Sequence, residues 1–220
     1  MKISERILNL LFPPRCPFCG KVQPRSGICP RCAPLLSVTE GDQVVREDGG
    51  GLRCAAPLWY EGTAREGVLR FKFQGTRSAA AVFGEMLAQC AAEEFGGEFD
   101  TVTWVPVSKK RLRKRGFDQA RLLAEEACRH WETSPRQLLV KIVDNPAQST
   151  IRGGMAARRA NVLGVYETAP GVDVQGRRIL LIDDVCTSGA TLNECVRVLM
   201  DAGAERVVCA ALAHAREKKV

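Results

Sequence analysis

Asp183 and Asp184 stand side by side after an apolar run, Ile179-Leu180-Leu181-Ile182, and Thr187, Ser188, Gly189, Ala190 and Thr191 follow before a helical pattern resumes. The first amides of a helix are unpaired and positively polarised, which suits a phosphate, and Gly189 allows the backbone to approach it closely. The hydroxyls of Thr187, Ser188 and Thr191 add donors. Two carboxylates beside a phosphate pocket repel the phosphate itself; they make sense as acceptors for sugar hydroxyls, directly or beside Mg²⁺. The chemistry demanded is that of a sugar phosphate with free vicinal hydroxyls. An Asp-Asp helix cap without a ligand would explain the acids but not the glycine and the hydroxyls. Neither a Walker A loop nor a G-x-G-x-x-G fingerprint is present.

A second constellation is Cys16-Pro-Phe-Cys19 followed by Cys29-Pro-Arg-Cys32, two C-x-x-C pairs within 17 residues. Four thiolates at about 2.3 Å make a closed tetrahedral Zn²⁺ site, structural rather than catalytic because no position stays open. Two redox pairs are the competing reading, but so short a window without a core of its own favours zinc. Cysteines 54, 90, 128, 186, 195 and 209 show no ligand spacing and read as small apolar core residues. A third constellation, Lys109 to Arg115, packs six cations into seven residues and reads either as a solvated loop or as an anion contact.

These residues need elements to hold them. Apolar periodicity predicts strands near 56–60, 101–107, 138–143, 162–166, 179–182 and 206–212, with helices near 64–73, 78–94, 118–130 and 191–202. Strands separated by helices imply crossovers and a mostly parallel sheet, with ligands at the carboxyl ends of its strands. The run 179–182, apolar throughout, predicts a strand buried on both faces with the acids at its rim. Residues 40–53 are polar and glycine-rich, as a linker or exposed hairpin is. They divide the chain into an N-terminal helix and zinc-ribbon (double zinc ribbon-like) module, 1–50, and a main α/β domain, 54–220. Residues 3–12 show the spacing of one helical face, interrupted by Glu5, Arg6 and Asn9, which predicts a docking helix and neither a signal peptide nor stable membrane insertion. The cysteines are therefore expected to be cytoplasmic thiols. Of 220 residues, 45% are hydrophobic and 26% charged, the composition of a globular chain. The net charge of +7 favours anionic partners.

The stretch 179–191 resembles the phosphoribosyl pyrophosphate (PRPP) signature of type I phosphoribosyltransferases. "VPVSKKRLRKRGFDQARLLA" (105–124) and "NPAQSTIRGGMAARRANV" (145–162) are similar to segments of the ComF/GntX family, competence-associated proteins that join a four-cysteine zinc ribbon to a phosphoribosyltransferase domain. The resemblance spans nearly the whole chain. It implies that Asp183, Asp184 and residues Thr187 to Thr191 bind PRPP with Mg²⁺, and that Val107, Ser108 and Lys109 hold pyrophosphate. The segment 144–161, with Gln148, Arg158, Arg159 and Asn161, takes the place of the fold's flexible hood. Lys110, Arg111, Arg113, Lys114 and Arg115 are candidates for nucleic-acid contact. Purine-salvage relatives carry an Asp where this chain has Thr187, which argues against purine salvage. Lys72 matches a family lysine, on what reads as a helix surface.

Two functions follow from the resemblance. One is Mg²⁺-dependent phosphoribosyl transfer to an acceptor that the sequence does not identify, within competence and DNA uptake. The other is a non-catalytic PRPP-sensing adaptor that handles single-stranded DNA beside the competence machinery.

Overall fold

The apolar run predicted as a strand is the centre of the molecule. In the computed structural model, which describes residues 13–39, 44–45, 51–73, 79–144 and 161–216, residues 179–182 are wholly buried. They lie in β7 (Arg178–Cys186), which pairs in parallel with β8 (Arg206–His214) on one side and with β4 (Thr101–Trp104) on the other. Beyond β8 lie β2 (Leu52–Ala55) and β3 (Leu58–Trp59), both parallel to it, and β1 (Val44–Val45) adds an antiparallel edge to β2. The order is β1-β2-β8-β7-β4, with β3 beside β8. A separate antiparallel pair, β5 (Leu139–Lys141) and β6 (Tyr166–Thr168), stands off the main sheet.

Alternation along β7 sends Leu180 and Ile182 to one core and Ile179 and Leu181 to the other, so helices cover both faces. Helices α1 (Gly62–Phe73), α2 (Ala80–Phe95) and α4 (Gln119–His130) pack on the first face, and α5 (Ala190–Asp201) packs on the second. Burial of each such Leu, Ile or Phe contributes roughly 1.5–3 kcal/mol. α2 and α4 approach so closely that a Cβ at Gly84 would lie 2.4 Å from the Glu126 Cβ. A short helix, α3 (Lys109–Arg115), follows β4.

The cysteine segment is not a free appendage. Phe18, between Cys16 and Cys19, is fully buried and meets the Phe83 ring edge-on at 5.4 Å. Gly67 of α1 makes room for it: a Cβ there would lie 2.5 Å from the Phe18 Cδ1. Arg70 Nε donates to the Phe18 carbonyl at 3.3 Å.

Several expectations are corrected. β7 does not stop at Ile182 but runs through both acids to Cys186, because pairing with β8 continues to Cys186↔His214. The basic run is a helix, not a loop: the Ser108 hydroxyl accepts the Arg111 amide at its start, and Gly116 closes it at φ 78°. The strand expected at 162–166 is instead a turn at 161–164 followed by β6. Of the strand expected at 56–60 only Leu58–Trp59 forms, as β3, and β2 lies wholly before it at Leu52–Ala55. The N-terminal helix of residues 3–12 and most of the hood segment lie outside the described residues. Among the described residues, no helix is long and apolar enough to cross a membrane.

Candidate functional site

The sheet's carboxyl end holds an open cleft of about 520 Å³. β7 brings Asp183 and Asp184 to it, and the turn 187–189 leads into α5. Gly189 stands at the N-cap of α5 with φ 73°, a conformation costly to any residue with a Cβ, and no side chain caps the helix. The first-turn amides of α5 therefore face the cleft without a capping oxygen, beside the hydroxyls of Thr187, Ser188 and Thr191. All seven residues from this motif, Asp183, Asp184 and Thr187 to Thr191, line one cavity.

The acids are not equivalent. Asp184 is buried and its Oδ1 lies 2.8 Å from Lys72 Nζ, which the last turn of α1 carries into the cleft. Burial works against the Lys72 charge, but Asp184 beside it and Asp183 nearby outweigh that effect and raise its pKa. Asp183 accepts the Asp184 amide at 2.7 Å. Burial first, then the charge of Asp184, pushes the Asp183 carboxyl well above the usual range. Cys186, reached by the same strand, is 1% exposed. The Cys54 thiol and then the His214 imidazole hold it down to about 6.

The same cleft also gathers cations. Arg111, Lys114 and Arg115 of α3 and Lys141 of β5 line the cleft together with Tyr60, Gln119 and Tyr166. Arg115 is fixed by Gln119 Oε1 at 2.7 Å and lies over the Phe73 ring at 5.1 Å. Lys141 approaches the Tyr166 hydroxyl at 3.4 Å, and burial, followed by repulsion from Arg111, lowers its pKa to about 8. Of the three residues expected to hold pyrophosphate, Val107 lines this cleft, and Lys109 lines a neighbouring one of about 430 Å³. Ser108 is committed elsewhere, its hydroxyl capping α3 and donating to Asp144 Oδ1 at 2.5 Å. Asp118, the N-cap of α4, accepts the Val107 amide at 3.0 Å and so pins the segment between β4 and α3.

The hood residues Gln148, Arg158 and Arg159 lie outside the described residues; Asn161 begins the turn before β6. Both flanks of the segment are tied to the site. Asp144 joins Ser108, and the Gly164 amide donates to Glu194 of α5 at 2.8 Å. Lys72, Lys141, Tyr60 and Tyr166 are additions to the residues the motif supplied. Only Lys72 carried a signal in the sequence, through the resemblance.

In the N-terminal segment, the sulfurs of Cys16, Cys19, Cys29 and Cys32 lie within 4.8 Å of one another. Cys19 Sγ and Cys29 Sγ are 3.8 Å apart, the edge of a tetrahedron whose centre lies about 2.3 Å from each corner, which is the Zn–S bond length. The four thiols fit a structural zinc ion.

Comparison with known proteins agrees with both halves. The phosphoribosyl transferase domain family matches residues 120–220, and the double zinc ribbon domain family matches residues 7–43. Competence protein ComFC of Bacillus subtilis is 27% identical over 86% of this chain and 72% of its own. Competence protein F of Haemophilus influenzae is 34% identical over 50% of this chain and 48% of its own. The solved glutamine PRPP amidotransferase from B. subtilis superposes with a TM-score of 0.43 at 24% identity, over 64% of this chain and 30% of that one. A zinc ribbon and a phosphoribosyltransferase-type parallel sheet occur here in one chain, in that order and beside competence-protein relatives, and the chain belongs to the ComF family.

Proposed function

We propose that this chain binds PRPP in the cleft at the end of β7 and transfers its phosphoribosyl group, in the service of DNA uptake. The observation that supports it best is the division of the cleft. The 5-phosphate goes to the uncapped first turn of α5 and the hydroxyls of the 187–191 turn. The ribose hydroxyls go to Asp183 and Asp184, and the pyrophosphate goes to the cations of the same cleft, Arg111, Lys114, Arg115 and Lys141. Val107, Ser108 and Lys109 then act by placing α3, with Ser108 as its cap.

Mg²⁺ fits this cleft as an ion carried on the pyrophosphate. Asp184 is already paired with Lys72, whose charge also reaches Asp183, so a divalent ion held by these acids would stand close to an ammonium. Bound there, the ion would supply positive charge against the leaving pyrophosphate. The chain's cations share that task as the bond from C1 to pyrophosphate breaks, a sugar cation develops and a nucleophile attacks C1. The hood segment, tied at Asp144 and Gly164, is the part of the chain that shields this cation from water.

DNA uptake enters through relatives named competence proteins and DNA utilization proteins. Its physical support is the outer side of α3, where Lys110 and Arg113 are exposed and available to phosphates of single-stranded DNA. The free thiols fit a cytoplasmic site of action. The adaptor without turnover is favoured by one observation: Thr187, exposed at the cleft, supplies no carboxylate for proton transfer on an acceptor base.

Titration calorimetry with Mg²⁺-PRPP tests the binding. The wild type should bind, and Asp183→Asn with Asp184→Asn should lose at least about tenfold in affinity while keeping its circular dichroism spectrum. Equal affinity in a folded double variant would remove the sugar site. Pyrophosphate release from PRPP, assayed against nucleobases, amines and single-stranded DNA, separates transfer from the adaptor. Release with one acceptor supports transfer, and binding without release supports the adaptor.

A further inference from the structure

The position beside Asp184 in this cleft is already occupied by a cation. Lys72 reaches it from the last turn of α1, where the helix dipole also favours positive charge. Its ammonium lies 2.8 Å from Asp184 Oδ1, and both side chains are largely withdrawn from solvent, at 20% and 12% exposure. A Mg²⁺ ion bound directly to that oxygen would sit at about 2.0–2.1 Å. It would share one carboxylate with the ammonium at close range, where two positive charges repel strongly. Asp183 has one oxygen engaged by the Asp184 amide at 2.7 Å, and the Lys72 charge reaches this acid too, so a divalent ion on its other oxygen would meet the same repulsion. An ammonium has three donors and no acceptor. The one on Asp184 leaves the others for ligand oxygens in the cleft that Lys72 lines.

We propose that Lys72 is the resident counter-ion of this site, taking the place of a divalent metal at the acid pair, so that a 5-phosphorylated ribose binds through Lys72, Asp183 and Asp184 without divalent metal. The acids accept hydrogen bonds from the ribose hydroxyls, Lys72 donates to the hydroxyl oxygens, and the ligand class is fixed by the vicinal diol. This rests on the reading of the cleft as a ribose phosphate site. Metal dependence then belongs to the pyrophosphate half of a ligand alone. Ribose 5-phosphate, which lacks that half, is the probe that separates the two contributions.

The experiment uses the full, zinc-loaded chain in buffer freed of other divalent ions beforehand. Calorimetry should give the same affinity for ribose 5-phosphate, within about twofold, with and without added Mg²⁺. 2-Deoxyribose 5-phosphate should bind more weakly by about tenfold or more, since its missing hydroxyl removes a charge-assisted hydrogen bond. Lys72→Ala should bind ribose 5-phosphate about tenfold or more weakly in the absence of Mg²⁺ and recover when Mg²⁺ is added to the vacated acids; Lys72→Arg should remain metal-independent. Mn²⁺ paramagnetic resonance gives a reading independent of sugar: Lys72→Ala should bind Mn²⁺ in the cleft and the wild type should not. Ribose 5-phosphate binding by the wild type that requires Mg²⁺ would overturn the inference while leaving the ribose phosphate site in place, and this comparison needs no variant. No binding by the wild type under either condition would overturn the site itself. Unchanged metal-free affinity in a folded Lys72→Ala would remove Lys72 from it.

Discussion

Lys141 is the residue whose charge the solution most readily changes. It lines the cleft at the end of β7 beside Arg111 and Tyr166, and the charges of Asp144, Asp183 and Cys195 also act on it. Burial and the Arg111 charge lower its pKa to about 8, so it is a cation below that pH and loses its charge above it. Pyrophosphate affinity should therefore fall as pH rises through about 8. Lys141→Arg, which keeps its charge, should show only the ligand's own titration, and Lys141→Met should be weak throughout. Calorimetry at several pH values checks this; identical profiles for wild type and Lys141→Arg would take Lys141 out of the anion site. At this scale the sequence was informative where chemistry was local. Asp183, Asp184 and the 187–191 turn are one continuous stretch, and they line one cleft. Lys72, Lys141 and Tyr166 come from three distant segments: Lys141 and Tyr166 meet as cross-strand partners of β5 and β6, and Lys72 reaches the same cleft from the end of α1. No spacing rule expresses that.

Elements were legible in proportion to their apolar period. The 179–182 strand and the helices of the main sheet carry one, and they form. The basic run carries none, with Leu112 its one apolar residue, and it reads as a loop. Its helicity comes from its two ends, the Ser108 cap and the left-handed Gly116, which are short-range signals that a charge run obscures. Helix formation also sorts the cations into two sets. Arg111 and Arg115 turn inward to the cleft, while Lys110 and Arg113 are exposed. Replacing Lys110 and Arg113 by Gln should reduce the slope of log affinity for single-stranded DNA against log salt by about 1.4, because each neutralised phosphate accounts for about 0.7 of it. PRPP affinity should hardly change. Arg111→Gln with Arg115→Gln should reverse the pattern, abolishing PRPP affinity and nearly preserving the salt slope. A salt titration of each pair against both ligands decides it, and equal effects of the two pairs would mean that the helix does not divide its cations.

The segments 1–50 and 54–220 are distinct in sequence, and we propose them as two modules, but their described parts share one core. Cys16, Phe18 and Cys32 are buried in the same cluster as Phe71, Phe83 and Leu180. The sequence hides this because Phe18 reads as a spacer between two metal ligands, whereas the fold uses it as the apolar key of the whole first layer. Zinc fixes the Cys16-to-Cys19 turn, the turn aims Phe18 at Gly67, and Gly67 belongs to the helix that carries Lys72. Removing zinc should therefore do more than unfold a small module, since metal binding supplies much of the folding energy of such a site. Cys29→Ser with Cys32→Ser should lower the melting temperature of the main sheet itself, and calorimetry should record one transition in the wild type. Phe18→Ala keeps all four ligands and deletes only the key. It should retain one zinc per chain and still lose about 3–5 kcal/mol in urea unfolding, because the ring leaves a cavity between α1 and α2. A main-sheet transition unmoved by either change would show that the ribbon merely rests on the domain; a loss in Phe18→Ala with zinc intact locates the coupling in the packing of one ring.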